Sequence, residues 1–245
     1  MNHPDRPWPA PGAPPALRMD WCDLLFAHWP VPAAALRGLV PPALALDTFE
    51  RSAWLGIVPF RMQNVRLRCW PFAFAFPELN VRTYVSMDGK PGVWFLSLDA
   101  TSRLAVEIAR RWYRLNYLHA RISCRPEAHG VRYASERLDR RGGACALAVR
   151  YAPVGQPFAA APGTLEHFLT ARYCLYAAGR GGSVRRGEVD HVPWPLQRAE
   201  AEFARNDYAA AHGIALPATA PHLLFARELR TVAWPLSGTA PAAAS

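Results

Sequence analysis

Lysine is nearly absent from this chain. Lys90 is the single one among 28 basic residues, and every other is arginine. An amine nucleophile able to form an imine therefore has one place to come from. The same skew recasts the net charge of +9. Arginine in place of lysine, with abundant alanine and proline, is the imprint of GC-rich codons. The arginines are scattered, with short pairs at Arg110–Arg111, Arg140–Arg141 and Arg185–Arg186. Nucleic-acid binding needs a basic stripe or face, and none is present, so no nucleic-acid partner is expected.

Other absences narrow the field further. The five cysteines, Cys22, Cys69, Cys124, Cys145 and Cys174, form no CxxC pair and are odd in number. That excludes a disulfide framework and a thiolate zinc site, and fits free thiols in a reducing, cytoplasmic compartment. No run approaches the roughly 18 apolar residues of a membrane span, and the first residues lack a signal-peptide core, so no membrane association is expected. No GxSxG elbow exists. The glycine-rich GRGGS at 179–183 lacks the Lys-Ser/Thr ending of a phosphate loop and reads as a flexible loop. No HxH or HxxxH spacing supports a metal site, and neither a metal nor a cofactor is expected.

What remains is a chain of 245 residues, 51% hydrophobic, with ample material for a core. Residues 1–17 read as a Pro-rich arm, loose or ordered only on contact, and residues 237–245 as a flexible tail. Between them, 18–236 reads as one continuous domain. Apolar, β-branched and aromatic runs predict strands around 20–29 and 52–62, two strand candidates within 65–85 around Pro71 and Pro77, a strand over 93–100, a meander across 119–154, and a closing strand near 222–236. The clearest helix is predicted from Thr101 to Arg114, where Leu104, Ile108 and Trp112 recur every four residues and Glu107 can pair with Arg111. Pro32–Leu39 predicts a short helix, Thr164–Ala177 a longer one capped by Thr164, and LQRAEAEF a further helical stretch. The sum is an α+β protein, mainly antiparallel β.

Several segments, in order, resemble the YqjF-like family within the acetoacetate decarboxylase-like superfamily: LLFAHWPVP, LVPPALALDTF, AWLGIVPFRM, FPELNVRTYV, GVWFLSLDA, ARRWYRLNY, TARYCLY and HVPWPLQ. The resemblance runs from about Trp21 to Trp234. It implies a β-cone or barrel-like sheet with a few outer helices around an internal cavity. It also implies a Schiff-base lysine, but Leu115 and Asn116 stand where two lysines would sit. Lys90 lies in a turn and is expected to be solvated, so imine chemistry is not expected. Glu78 falls where the decarboxylase pattern has an active-site glutamate. Trp54 and Cys22 fall where it has another acid and an arginine. Such assemblies can be large, which leaves a homo-oligomer compatible with the chain.

Strand alternation puts Glu78, Asn80, Arg82 and Tyr84 on one face. Any half-exposed strand shows such a face. In a closed sheet the same face looks inward, with Glu78 as the catalytic acid or base and Arg82 as its paired cation and ligand anchor. His28 in AHWPVP and His191 with Trp194 in DHVPWPL are further candidates for the pocket wall, although histidines among tryptophans and prolines commonly just pack. Asp99 reads as a turn or capping residue, and the cysteines as structural. The expected ligand is an organic acid or carbonyl compound. Lyase or isomerase chemistry by general acid/base catalysis, a non-catalytic binding or sensor module, and a structural role all stay open.

Overall fold

The computed structural model describes residues 6–238. In chain order its elements are β1 (Leu17–Val31), α1 (Ala33–Arg37), β2 (Ala45–Leu46), β3 (Ala53–Leu67), β4 (Phe74–Met87), β5 (Lys90–Ala100), α2 (Arg103–Tyr113), β6 (Tyr117–Glu127), β7 (Gly130–Arg137), β8 (Ala146–Phe158), α3 (Leu165–Thr170), β9 (Cys174–Ala178), β10 (Val184–His191), β11 (Leu196–Asn206), β12 (His222–Ala233) and β13 (Ser237–Gly238). The strands form one sheet, antiparallel except where β5 meets β6 and β9. This is the expected mainly antiparallel, barrel-like sheet with few helices. Among the described residues no helix is long and apolar enough to cross a membrane.

The sheet closes on itself twice. One ring runs β5–β6–β7–β8–β11–β12–β1–β3–β4 and returns to β5. A smaller ring runs β5–β9–β10–β12–β1–β3–β4 and also returns to β5. The two barrels share a wall made of β12, β1, β3, β4 and β5. This is possible because each edge strand of the wall divides its free edge. Leu98–Ala100 of β5 pair with β6, while Val93 and Trp94 pair with β9. Likewise Leu196, Gln197 and Arg198 of β11 take the first half of β12, and Val189, Asp190 and His191 of β10 take its last residues.

Side-chain alternation then assigns each wall residue to a barrel. Leu25, Ala27, Leu55, Ile57, Leu79 and Val81 point into the larger ring, where they meet Tyr133, Leu147 and Tyr151 in a packed core. Leu24, Phe26, Val58, Phe60 and Leu224 point the other way, toward Trp194. β4 is therefore buried on both faces, which a reading of it as a half-exposed strand does not anticipate. A register shift at Leu96 changes the phase of β5. In consequence Phe95 and Leu98 both face the smaller ring, while Ser97 and Asp99 face the larger.

Several expectations need correction. The helix predicted over 164–177 ends at Thr170. Beyond it, Cys174–Ala178 form β9, because the run CLYAA pairs with both β5 and β10. The stretch LQRAEAEF is strand β11, not helix. Its helix-forming residues alternate with period two, Ala199, Ala201 and Phe203 inward and Glu200 and Glu202 outward, and sheet packing overrides propensity. Glu107 pairs with Arg141 at 2.7 Å rather than with Arg111. Asp99 caps nothing: it lies within β5, wholly buried, and Ser102 is the cap, accepting from Ala105 N at 3.2 Å.

The N-terminal segment is seated from Arg6 onward. Arg6 is buried and donates to Glu188 at 2.5 Å and to Val189 O at 2.5 Å, and Trp8 Nε1 donates to Glu188 at 2.7 Å. Trp234 Nε1 donates to Ala13 O at 2.6 Å. Of the C-terminal segment, Ser237 and Gly238 pair with β10, and the remaining residues lie outside the described ones.

Candidate active site

The smaller barrel encloses a cavity of about 570 Å³, within the ordinary range for a small-molecule site. Apolar side chains dominate its walls, among them Leu24, Phe60, Met62, Phe76, Phe95 and Leu98. Trp21 and Trp194 stack over one another at 5.5 Å on one side. Polar groups are a minority of the lining: Glu78, Asn80 and Arg82 of β4 face Tyr117, Arg172 and His191, with Thr101, Ser102, Tyr113, Thr170 and Glu188 elsewhere on the wall.

β4 presents these three residues because positions 78, 80 and 82 share the face toward the smaller ring. Gly56 makes room for them. It lies opposite both His28 and Arg82, and a Cβ there would come within 2.8 Å of the imidazole and 3.2 Å of Arg82 Cγ.

Glu78 is 2% exposed. Tyr117 donates its O–H to Glu78 Oε2 at 2.9 Å, and the Asn80 side chain also bonds the carboxyl. The Tyr133 O–H holds the Glu78 backbone carbonyl at 2.7 Å from the other side of the wall. Burial dominates these contacts and pushes the carboxyl up to about 8, with the negative charge of Asp99 adding to the rise. Glu78 is thus a carboxylic acid at neutral pH.

The expected Glu78–Arg82 pair is not made. Among the described residues Arg82 has no carboxylate within ion-pair range, and its buried Nε has no hydrogen-bond partner. Its guanidinium lies instead against aromatic faces, 5.1 Å from the Phe26 ring centre and 5.8 Å from Tyr84. Two residues, 78 and 82, share a face yet stand about 13 Å apart along the strand, too far for a salt bridge. Arg172, by contrast, is paired with Asp47 at 2.5 Å and also donates to Phe168 O.

The remaining sequence candidates divide. His191 and Trp194 are on the cavity wall; His191 stacks on Tyr173 at 4.8 Å, and Trp194 Nε1 donates to Thr170 O. His28 and Tyr84 lie behind the wall rather than on it, bonded to one another at 2.6 Å. Burial, aided by the nearby Arg82 charge, holds the His28 imidazole well below its usual range, so it stays neutral. Glu78, His28 and His191 do not come together as a metal cage, and no such cluster occurs among the described residues.

Leu115 lines the cavity, and the Asn116 amide turns away to donate to Leu96 O at 2.6 Å. Lys90 stands outside the cavity, with Nζ 5.3 Å from the Trp8 ring centre. Among the described residues, therefore, none brings an amine to the cavity. Nor are the thiols activated: burial pushes Cys22 and Cys145 up to about 11, and Cys124 and Cys174 up to about 12. Trp54 and Cys22 are both buried and off the cavity wall.

Sequence reasoning missed Tyr117, the phenol on Glu78. Its position directly after Leu115 and Asn116 was the available signal, since that segment must return to the cavity. No sequence pattern marks Arg6 as buried.

The profile of the family DUF2071, described as an uncharacterized conserved protein, matches residues 18–230. A Bacillus subtilis (strain 168) protein described as uncharacterized protein YqjF is 43% identical over 223 residues, covering 90% of this chain and 91% of that one. Among solved structures, the acetoacetate decarboxylase of Legionella pneumophila superposes with a TM-score of 0.66 at 12% identity, over 98% of this chain and 95% of that one. The enduracididine biosynthesis enzyme MppR, solved with a condensation product of pyruvate and imidazole 4-carboxaldehyde, gives 0.64 at 12% identity over 92% and 90%. At such identities the two structures speak for the fold.

Proposed function

We propose, for a chain that belongs to the DUF2071 family, that the smaller barrel binds an organic acid or carbonyl compound and that Glu78 exchanges a proton with it. The observation that carries this reading is the pairing of opposites in one cavity: a carboxyl held neutral, and a guanidinium left without a carboxylate. Arg82 is half-buried, and its enclosed Nε is costly to leave without an acceptor, which a ligand carboxylate supplies. Bidentate recognition suits Arg82, and Asn80 Oδ1, also without a partner, can accept from a ligand hydroxyl or acid proton.

Glu78 then serves the reacting end. A carboxyl near 8 is matched to proton transfer at physiological pH. In its acid form it donates to a carbonyl oxygen; in its ionised form it accepts a proton from the neighbouring carbon. Tyr117 steadies the carboxyl in both forms. With Leu115 and Asn116 in place of amines, the chemistry runs without a covalent adduct, which points to isomerase- or lyase-type steps. The neighbours' names fit this direction: one acts on a 3-keto acid, and another was solved with a pyruvate-derived product. Cysteine usage supports a cytoplasmic setting, and the scattered arginines support a small molecule rather than nucleic acid as partner.

Proton NMR in D₂O on a panel of small keto acids tests the proposal. Exchange of the hydrogens beside the carbonyl is expected with the native chain. Glu78→Gln, folded by circular dichroism, should lose it by roughly a hundredfold or more, the usual contribution of a general acid or base. Unchanged exchange in that variant would remove Glu78 from the chemistry. Binding without exchange would favour a ligand-binding module, a second reading supported by Trp54 and Cys22 where the related pattern has further charged groups.

A further inference from the structure

Every residue from Arg68 to Ala75 is exposed, so the turn joining β3 to β4 projects into solvent. It carries Trp70, Phe72 and Phe74, which are 52%, 65% and 40% exposed. Trp70 and Phe72 meet edge to face with 6.1 Å between ring centres. Helix α2 lies beside the turn: Phe74, Leu104 and Ile108 border the same cavity, and Leu104 and Ile108 are 72% and 38% exposed. Five of the nine exposed large hydrophobic residues among the described ones thus gather at one end of the smaller barrel. Apolar side chains exposed singly need no explanation, whereas a gathered patch marks a surface that meets something.

The surroundings of this patch carry charge of one sign. Residues 65–77 include no acid. Arg18 and Arg66 are register partners on β1 and β3, and both are exposed, as are Arg68, Arg103 and Arg111. Arg111 follows Leu104 by seven residues and Ile108 by three, so it shares their side of the helix. Among the described residues none of these five arginines is in an ion pair. Two acids that lie close to them in the chain are already bonded elsewhere. Asp20 accepts from Asn64 Nδ2 at 2.6 Å, and Glu107 accepts from Arg141 at 2.7 Å.

We infer that this end of the molecule docks on an anionic lipid surface. Trp70, Phe72 and Phe74 enter the boundary between headgroups and acyl chains, Leu104 and Ile108 lie against it, and the arginines meet the lipid phosphates. Aromatic and aliphatic side chains flanked by arginine are the composition that such a boundary retains. A projecting tip suits a fluid surface that yields to its shape. A second copy meeting the tip about a twofold axis would set Arg66, Arg68 and Arg111 against themselves, whereas lipid phosphates complement them. Docking of this kind needs no spanning helix, and among the described residues there is none. The inference goes beyond the proposed chemistry and draws on neither Glu78 nor Arg82.

Co-sedimentation of the full chain with vesicles of phosphatidylcholine, alone or mixed equally with phosphatidylglycerol, tests this. Affinity should be roughly tenfold or more higher on the mixed vesicles and should weaken as salt rises. The double variant W70S/F72S, altered at exposed positions and checked for native circular dichroism and melting, should lose roughly tenfold or more on the mixed vesicles. R66A/R68A should lose about fivefold per arginine there, the attraction of one basic residue to such a surface expressed as a ratio, and nothing on phosphatidylcholine. Failure to sediment with either vesicle, or undiminished sedimentation of W70S/F72S, would overturn the docking. Equal affinity for the two vesicles would overturn the part given to the arginines, and with it the choice of an anionic surface. A dimer in sedimentation equilibrium that W70S/F72S abolishes, with no vesicle binding, would assign the patch to a second copy instead.

Discussion

The two barrels share five strands and solve the problem of a buried interior in opposite ways. The larger fills its interior, with Tyr133 wholly buried and its polar groups mutually satisfied. Arg137 grips Asp99 with two bonds of 2.9 and 2.8 Å and also reaches Ser97, while Tyr208 bridges Asp99 and Ser135. The smaller barrel keeps space, leaves Arg82 without an acid and holds Glu78 without a cation. The same wall thus carries a completed ion pair on one face and two uncompleted halves on the other. Completed networks hold a fold in register; uncompleted ones await a ligand.

The largest blow to this contrast should come from breaking the completed pair. Arg137→Met strands the Asp99 carboxylate in the packed barrel and should cost about 3–5 kcal/mol in urea unfolding. A loss below about 1 kcal/mol would mean the larger barrel is as tolerant as the smaller.

Glu78→Gln sharpens the comparison through pH. Between the ordinary carboxyl value of 4.5 and about 8 the folded chain holds a proton that the unfolded chain has released, so this residue makes native stability fall as pH rises across that window. The glutamine variant lacks the fall. It should match the native chain near pH 4 and exceed it at pH 9 by up to roughly 5 kcal/mol, at about 1.4 kcal/mol per pH unit over that window. Parallel stability profiles would place the Glu78 carboxyl in water.

Packing gives a third, smaller test. Ala27→Leu adds volume to the filled barrel and should cost about 1–3 kcal/mol, whereas Leu98→Phe grows into the cavity and should cost less than about 1 kcal/mol. The smallest effect is expected from Arg82→Met, which strands no carboxylate and removes a half-buried charge without an acid partner among the described residues. Its unfolding midpoint should stay the same or rise, with carboxylate binding lost. Marked destabilisation would reveal a partner for Arg82 that the static contacts do not include.

How much of this was legible in the residues differs between the barrels. The strands of the wall announce themselves through apolar alternation, and the family resemblance supplies their closure. Glu78, Asn80 and Arg82 were placed on one face by counting in twos. Which water or wall that face meets is decided by β9 and β10, and CLYAA read as helix because cysteine, leucine and alanine suit both states. The divided edges of β5 and β12 are long-range facts that no local pattern encodes. His28 was drawn toward the site by the versatility of imidazole, while its actual neighbour, Tyr84, was already counted on the same inward face. Arg6 lay in a segment whose prolines spoke of looseness; its seat depends on Glu188, more than 180 residues away.

The divided edge of β12 also governs when the protein can take shape. This strand pairs with β1 along its whole length and is the junction at which each ring closes. It spans residues 222–233, so neither ring can shut until this strand has left the ribosome. β1, β3 and β4 must wait, with both of their apolar faces uncovered, for a strand made nearly 200 residues after the first of them. Pairing over such separation is slow, and open strand edges are prone to associate with one another meanwhile. A nascent chain stalled before residue 222 is therefore expected to be a client of chaperones, and release of the final dozen β12 residues to be the event that dismisses them.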